Sequence, residues 1–230
     1  MTPSRRSRQA RVGLSQRVVE RPERGERRDV LDQAWTPLVE AIGAVAVPVP
    51  NRLGDVVAWA EEMALDAILL TGGNNLPVPG EDSVEDLAPE RDATEAALID
   101  WCAATDRPLI GVCRGAQHLA RRCGAGLRAV AGHVATEHEL RRAEGLSADH
   151  EPLFRPGRVN SYHGFALPLA ELGAELEALL LAPDGTVEAF RRRGSRQWGL
   201  LWHPERGSRR PEDQALLRAL LVATKEGEAS

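Results

Sequence analysis

Cys113 stands in "GVCRG" (Gly111 to Gly115), after the apolar run "LIGV" and before a helix-forming stretch. A Gly-x-nucleophile-x-Gly pattern at a strand-to-helix junction is the mechanical signature of a nucleophile elbow. The turn is sharp and strained, so small flanking residues are needed for close backbone approach. It lifts the side chain to the C-terminal edge of a sheet, and the following helix N-terminus favours thiolate over thiol. The pattern by itself leaves two readings open: a nucleophile, or a buried cysteine on a glycine-rich turn. Cys102 and Cys123 sit in no elbow and read as core or helix-surface residues.

Two further stretches could complete the chemistry. In "WHPE" (Trp202 to Glu205), His203 and Glu205 are two apart, so extended backbone puts both side chains on one side. A carboxylate there can hold the imidazole's orientation and tautomer while the other ring nitrogen faces a thiol. Pro204 restrains the backbone between them. "TGGNN" (Thr71 to Asn75) closes another apolar run. Its paired glycines can offer backbone N–H groups to an oxyanion, an ordinary tight turn being the competing reading.

His133 and His138, in "GHVATEHEL", lie five apart beside Glu137 and Glu139. That spacing suits neither one helix face nor one strand face, so a metal site is not expected there. His133 is read at a pocket edge, His118 on the elbow helix away from the thiol, and His150 in a loop. The arginines at 191–193 and 209–210 read as solvated surface able to meet a phosphate-bearing substrate.

The elements that must position these residues follow from hydrophobic patterning. "RVGLSQRVV" (Arg11 to Val19) reads as a strand and "ERPERGERRD" as a polar loop. "VLDQAWTPLVEAIG" has apolar residues at helical spacing from Val30 to Ile42, with Gly43 as a stop. "AVAVPVP" and "DAILLTGG" read as strands around the helix "GDVVAWAEEMA"; then come the helix "ERDATEAALIDWCAATD", the strand "PLIGVC" and the elbow helix. Wholly apolar strands alternating with helices predict a parallel sheet covered on both faces. After about residue 127 the pattern changes. "LEALLLAPDGTVEAFRR" reads as two strands around an Asp-Gly turn, "QWGLLWHPE" as a further strand and "RRPEDQALLRALLVATKEG" as a closing helix. The expected fold is α/β, with a mostly parallel central sheet, helices on both faces and some antiparallel strands in the C-terminal half. Residues 1–10 are expected to be a basic, disordered tail, and 11–226 a single domain. The acidic segment at 74–90 reads as a mobile cover.

The bulk composition fits this picture. The chain has 230 residues, 43% hydrophobic and 27% charged, and a net charge of −5. That balance gives no reason to expect nucleic acid or an anionic membrane as partner. No run is long and apolar enough for a transmembrane helix, and the basic start lacks the apolar centre of a signal peptide. Three cysteines without metal-ligand spacing argue against a disulfide framework and for a reducing, cytoplasmic setting.

The elbow Cys, the strand-end "GG" and "HPE", in this order, resemble the class I glutamine amidotransferase fold (flavodoxin-like) over most of the chain, from Arg11 to the last helix. The resemblance implies a Cys-His-Glu triad of Cys113, His203 and Glu205. It also implies an oxyanion hole of the backbone N–H groups of Gly73 and Arg114. Gln117, four after the cysteine, matches the family's glutamine-contacting position. "VNSYHG" (Val159 to Gly164) is similar to the γ-glutamyl hydrolase branch, which includes γ-glutamyl-γ-aminobutyrate hydrolases. Gly72, Asn74, Asn160, Ser161, Tyr162 and His163 would then join Gln117 around the substrate. "RRDVLDQAW", "RDATE" and "DGTVEAF" also look like this branch. The short length suggests its compact members, such as γ-glutamyl-CDP-amidate hydrolases. Asn75 stands where many relatives carry Asp, and Gly164 where many carry His or Asn, at positions that bear on specificity.

The resemblance implies a cysteine hydrolase that cleaves a γ-glutamyl amide bond through a glutamyl thioester, releasing glutamate and an amine or amidate. It implies no cofactor and no metal, a small-molecule γ-glutamyl substrate, and allows a homodimer. One alternative is a glutaminase subunit delivering ammonia to a separate synthetase partner. Another is a non-catalytic binding protein on the same fold.

Overall fold

The computed structural model describes residues 8–78, 85–144, 152–206 and 211–222. In chain order the strands are β1 (Ala10–Ser15), β2 (Arg17–Arg21), β3 (Glu26–Val30), β4 (Ala44–Val49), β5 (Ala67–Leu70), β6 (Leu109–Val112), β7 (Arg128–Ala129), β8 (Val134–Glu139), β9 (Arg141–Arg142), β10 (Arg158–Tyr162), β11 (Phe165–Pro168), β12 (Leu176–Leu181), β13 (Thr186–Arg192) and β14 (Gln197–Leu200). The α-helices are α1 (Trp35–Ala41), α2 (Val56–Glu62), α3 (Pro89–Thr105), α4 (Arg114–Arg122) and α5 (Pro211–Leu221).

The main sheet runs β4-β1-β5-β6-β14-β13-β11-β7. Its first five strands are parallel. β13 turns antiparallel to β14, β12 and β11. Every residue of β5, β6 and β14 is buried, because helices cover both faces there. One face packs Val56, Ala60, Leu98, Ile99, Ala116 and Leu119 from α2, α3 and α4. The other packs Trp35, Leu38 and Val39 from α1 against Leu216, Leu217, Leu220 and Leu221 from α5. Each Val, Leu or Ile among them contributes about 1.5–3 kcal/mol on full burial. Pro48 is tolerated because β4 is the sheet's edge.

Two expectations change. The stretch 11–19 is not one strand: the chain breaks after Ser15, and the "polar loop" is the antiparallel hairpin β2–β3. Its residues are mostly exposed and charged, so periodicity resembles a loop. The first helix starts at Trp35, because Val30 ends β3 and Asp32 accepts the Ala34 N–H at 2.9 Å. A second small sheet, β8–β10, stands apart from the main one and carries the "VNSY" segment. Among the described residues no helix is long and apolar enough to cross a membrane.

Candidate active site

The strand order decides which residues meet. β5, β6 and β14 are neighbours, with Leu70 opposite Gly111 and Gly199 opposite Gly111 in register. Their C-terminal ends deliver Gly72–Gly73, Cys113 and His203 side by side, with the cysteine on the middle strand. Parallel strands lie about 4.8 Å apart, so groups one strand away reach each other at this edge.

Cys113 has φ 51° and ψ −109°, a strained conformation for a residue with a side chain. Its N–H is held by the Leu200 carbonyl at 2.7 Å. The flanking glycines are steric requirements. A Cβ on Gly111 would lie 2.5 Å from the Gly115 carbonyl oxygen, and one on Gly115 would lie 2.4 Å from the Leu70 oxygen. The elbow is therefore wedged between β5 and its own helix. Arg114 opens α4, so its N–H belongs to the first helical turn, where no intrahelical acceptor exists.

His203 Nδ1 lies 2.7 Å from Glu205 Oε1, and both residues are buried. Burial opposes a charge on this imidazole, but its interactions with Cys113 and Glu205 outweigh that, raising it to about 9. The ring is packed closely on the glycine strand end: a Cβ on Gly72 would come within 2.7 Å of His203 Cε1. Gly73 has φ +81°, which favours glycine. The cluster joins a cysteine thiol, an imidazole oriented by a carboxylate and a strand end free of side chains.

This arrangement belongs to a known lineage. The Peptidase C26 family model matches residues 12–205, which span the elbow, the glycine turn and the His-Glu pair. The chain belongs to the Peptidase C26 family. It is 29% identical to the γ-glutamyl-CDP-amidate hydrolase of Campylobacter jejuni, over 85% of this chain and 90% of that protein. It is 30% identical to protein NtpR of Enterococcus hirae, over 61% of this chain and 67% of that one. The crystal structure of a glutamine amidotransferase from Thermotoga maritima shares the fold, with TM-score 0.61 and 15% identity, covering 87% of this chain and 78% of that one.

In this C26 chain, one buried ion network supports the glycine turn, which hydrophobic patterning does not single out. Arg91, fully buried on α3, donates to the carbonyls of Thr71 (2.6 Å), Gly72 (3.1 Å) and Gly73. Its Nε meets Glu95 Oε1 at 2.8 Å, one helical turn on. Glu95 also accepts from Ser15 Oγ at 2.7 Å, from the Arg114 guanidinium, and faces His118 Nδ1 at 3.1 Å. Burial alone would raise the Glu95 carboxyl, but Arg114, Arg91 and His118 hold it well below the usual carboxylate range. Burial lowers Arg91 to about 10 against the pull of Glu95, so it stays cationic at neutral pH. "RDATE" carried this signal: Arg and Glu four apart share a helix face, though such pairs are ordinarily solvated.

The other sequence candidates are placed as follows. Asn160 binds the His203 backbone at both ends. Asn74 is turned to protein partners, pairing with the Val18 N–H at 2.8 Å and carbonyl at 2.9 Å and with Asp86 at 2.9 Å. Ser161 Oγ donates to the His133 carbonyl at 2.7 Å. Gln117 Nε2 donates to the Phe165 carbonyl at 2.8 Å. Tyr162 is 44% exposed, with its ring edge-on to His203 at 5.7 Å. The Arg206 guanidinium lies over the Tyr162 ring, 5.0 Å from its centroid. A cavity of about 430 Å³ opens there, lined by Arg158, Asn160, Tyr162, Trp202, Arg206 and Asp213 among others. His163 points to Glu188, at 3.2 Å, and joins His133 and His138 there.

His118 lies against Glu95, within the network. Cys102 and Cys123 are buried, and burial raises both thiols, Cys102 to about 12. The arginines at 191–193 are not simply solvated: they pair with Glu175 and Glu177. His150, the arginines at 209–210 and residues 79–84 of the acidic segment lie outside the described residues.

Proposed function

We propose that this protein is a cysteine hydrolase of γ-glutamyl amide bonds. The observation that carries the reading is the strained elbow cysteine beside a buried, carboxylate-held imidazole whose pKa is about 9. The Cys113 thiolate attacks the γ-carbonyl carbon. The N–H groups of Gly73 and Arg114 receive the developing oxyanion; losing one such donor typically costs about 10²–10³ in rate. The imidazolium of His203 gives its proton to the departing nitrogen, leaving a glutamyl thioester. His203, now neutral, takes a proton from water, which opens the thioester and returns glutamate and free thiol. Glu205 keeps the ring turned and stabilises its charge.

The exposed Tyr162 stands edge-on to His203, carries the Arg206 guanidinium over its ring, and lines the adjoining cavity together with Arg206. We assign the leaving group to that cavity. Arg206 suits an anionic group, and the relation to a γ-glutamyl-CDP-amidate hydrolase supports a phosphoramidate among the candidates. Gln117, Ser161 and the glycine turn remain the candidates for the glutamyl side.

The test is glutamate release from a set of γ-glutamyl compounds: γ-glutamyl-CDP-amidate, γ-glutamyl-amines and glutamine. The reading expects turnover of at least one γ-glutamyl amide by the chain alone, abolished in Cys113→Ala. Turnover of glutamine only in the presence of an added synthetase would replace it with the ammonia-delivering reading.

A further inference from the structure

Away from the triad, three histidines converge on one buried carboxylate. His133 precedes β8, His138 lies on β8, His163 follows β10, and Glu188 sits on β13 with no exposed surface. Glu188 Oε1 is 3.5 Å from His133 Nδ1, 3.4 Å from His138 Nε2 and 3.2 Å from His163 Nε2. None of these atoms, nor Glu188 Oε2, has a hydrogen-bond partner among the described residues. Unpaired buried polar groups are costly, so several at one point need an explanation.

The outer hydrogen bonds sharpen the problem. His163 Nδ1 lies 2.9 Å from the Phe165 carbonyl, which can only accept, so Nδ1 carries the proton. His133 Nε2 lies 2.9 Å from Asp184 Oδ2, again an acceptor. In their neutral forms both rings therefore aim a lone pair at the Glu188 carboxylate. Lone pairs and an anion face one another unless the rings take a second proton or a metal cation sits between them.

We propose that His133, His138, His163 and Glu188 form a site for a divalent transition-metal cation of the zinc class. Three imidazole nitrogens and one carboxylate oxygen are a tetrahedral donor set for such an ion. With metal–ligand bonds of about 2.0–2.1 Å, the edge of the tetrahedron is about 3.3–3.4 Å. The three nitrogen-to-Oε1 separations fall around that edge. One ligand atom from each of His133, His138 and Glu188 lies within 4.8 Å of the others, and His163 joins them through its 3.2 Å approach to Glu188 Oε1. Ligating histidines commonly give their other N–H to a carboxylate or backbone carbonyl, as Asp184 and Phe165 receive here. The ion would tie the two-stranded β8–β10 sheet, which holds Asn160 and so His203, to β13 of the main sheet. It makes no contact with the reacting atoms and is a structural brace.

Two measurements decide it. Untagged protein, stripped with a chelator, is titrated with Zn²⁺ against a chromophoric competitor and its melting temperature followed. The site predicts one equivalent bound, with a melting temperature roughly 5–10 °C higher at a hundredfold excess over Kd. Cys113→Ala keeps that equivalent, while Glu188→Gln and His138→Ala lose it. If those variants do not fold, Co²⁺ loaded into the wild-type chain serves instead. A tetrahedral visible spectrum without thiolate-to-metal charge transfer supports the site. No stoichiometric binding, or binding lost in Cys113→Ala, overturns it; the cluster would then be held by protons, or the metal by the thiol.

Discussion

Asn160 clamps His203 at both ends of its backbone: Oδ1 accepts the His203 N–H at 2.9 Å, and Nδ2 donates to the His203 carbonyl at 2.9 Å. The same amide reaches the Arg206 carbonyl at 3.3 Å. A residue read as a substrate contact thus holds His203 in place from β10, outside the main sheet. Asn160→Leu keeps the volume and removes every bond. It is expected to lower kcat by about 10–100-fold through loss of alignment, with a smaller change in KM. Steady-state kinetics on a γ-glutamyl substrate check this; an unchanged kcat would mean that the clamp does not position His203.

Gly72 tests the fit between the glycine turn and His203. In Gly72→Ala the new methyl would meet His203 Cε1 at 2.7 Å. The ring must move, so kcat is expected to fall by about 10²-fold while the fold survives. Gly54→Ala, where nothing lies within 4 Å of the new atom, is the control and is expected to keep full activity. Comparable kcat values for the two variants would contradict the close packing.

The pH dependence follows from His203. Its pKa in the folded protein, about 9, lies above its ordinary 6.5. The proton for the leaving nitrogen is therefore present at neutral pH and lost as pH rises through about 9. Activity should decline on the alkaline side with a limb near 9. Glu205→Gln removes one of the interactions that raise this pKa, so the limb should move to lower pH. The stability linked to this proton has the same sign: it is complete below about 6.5 and is lost through 9. A pH–rate profile of both proteins reads the shift; an alkaline limb unmoved by Glu205→Gln would contradict the coupling.

Arg91 is expected to act on catalysis without touching substrate. Arg91→Lys keeps the charge but not the fork that holds three successive carbonyls. It should lower kcat by about 10²-fold with little change in KM, as for a misplaced oxyanion donor. Glu95→Gln leaves two guanidiniums without their buried partner and should destabilise by about 3–5 kcal/mol. Thermal unfolding and kinetics together separate the two effects. A kcat for Arg91→Lys equal to wild type would leave the network with stability as its sole role.

What was legible in the sequence was local. The elbow declares itself because Gly111, Cys113 and Gly115 are adjacent, and the steric reason for both glycines lies within one turn and one neighbouring strand. His203 and Glu205 are likewise two residues apart. The histidine cluster was not legible, because a β-bulge hides it. Val134 pairs with Tyr162 and Thr136 with Ser161, so Ala135 is the extra residue, with φ +52°. That insertion inverts the alternation and turns His133 to the face of His138, which plain strand spacing forbids. Its carboxylate, Glu188, arrives from a strand some fifty residues on, paired through the main sheet. The Arg91–Glu95 pair was visible as spacing, and only the packing of α3 under the glycine turn distinguishes it from a surface pair.

In the proposed reaction Cys113 carries the glutamyl group between the two half-reactions. The direct measurement is rapid acid quench of enzyme turning over a γ-glutamyl amide, followed by peptide mass spectrometry. One glutamyl residue is expected on the peptide containing Cys113, and no adduct in Cys113→Ala. Turnover with the label on Cys102 or Cys123, or glutamate release undiminished in Cys113→Ala, would contradict it.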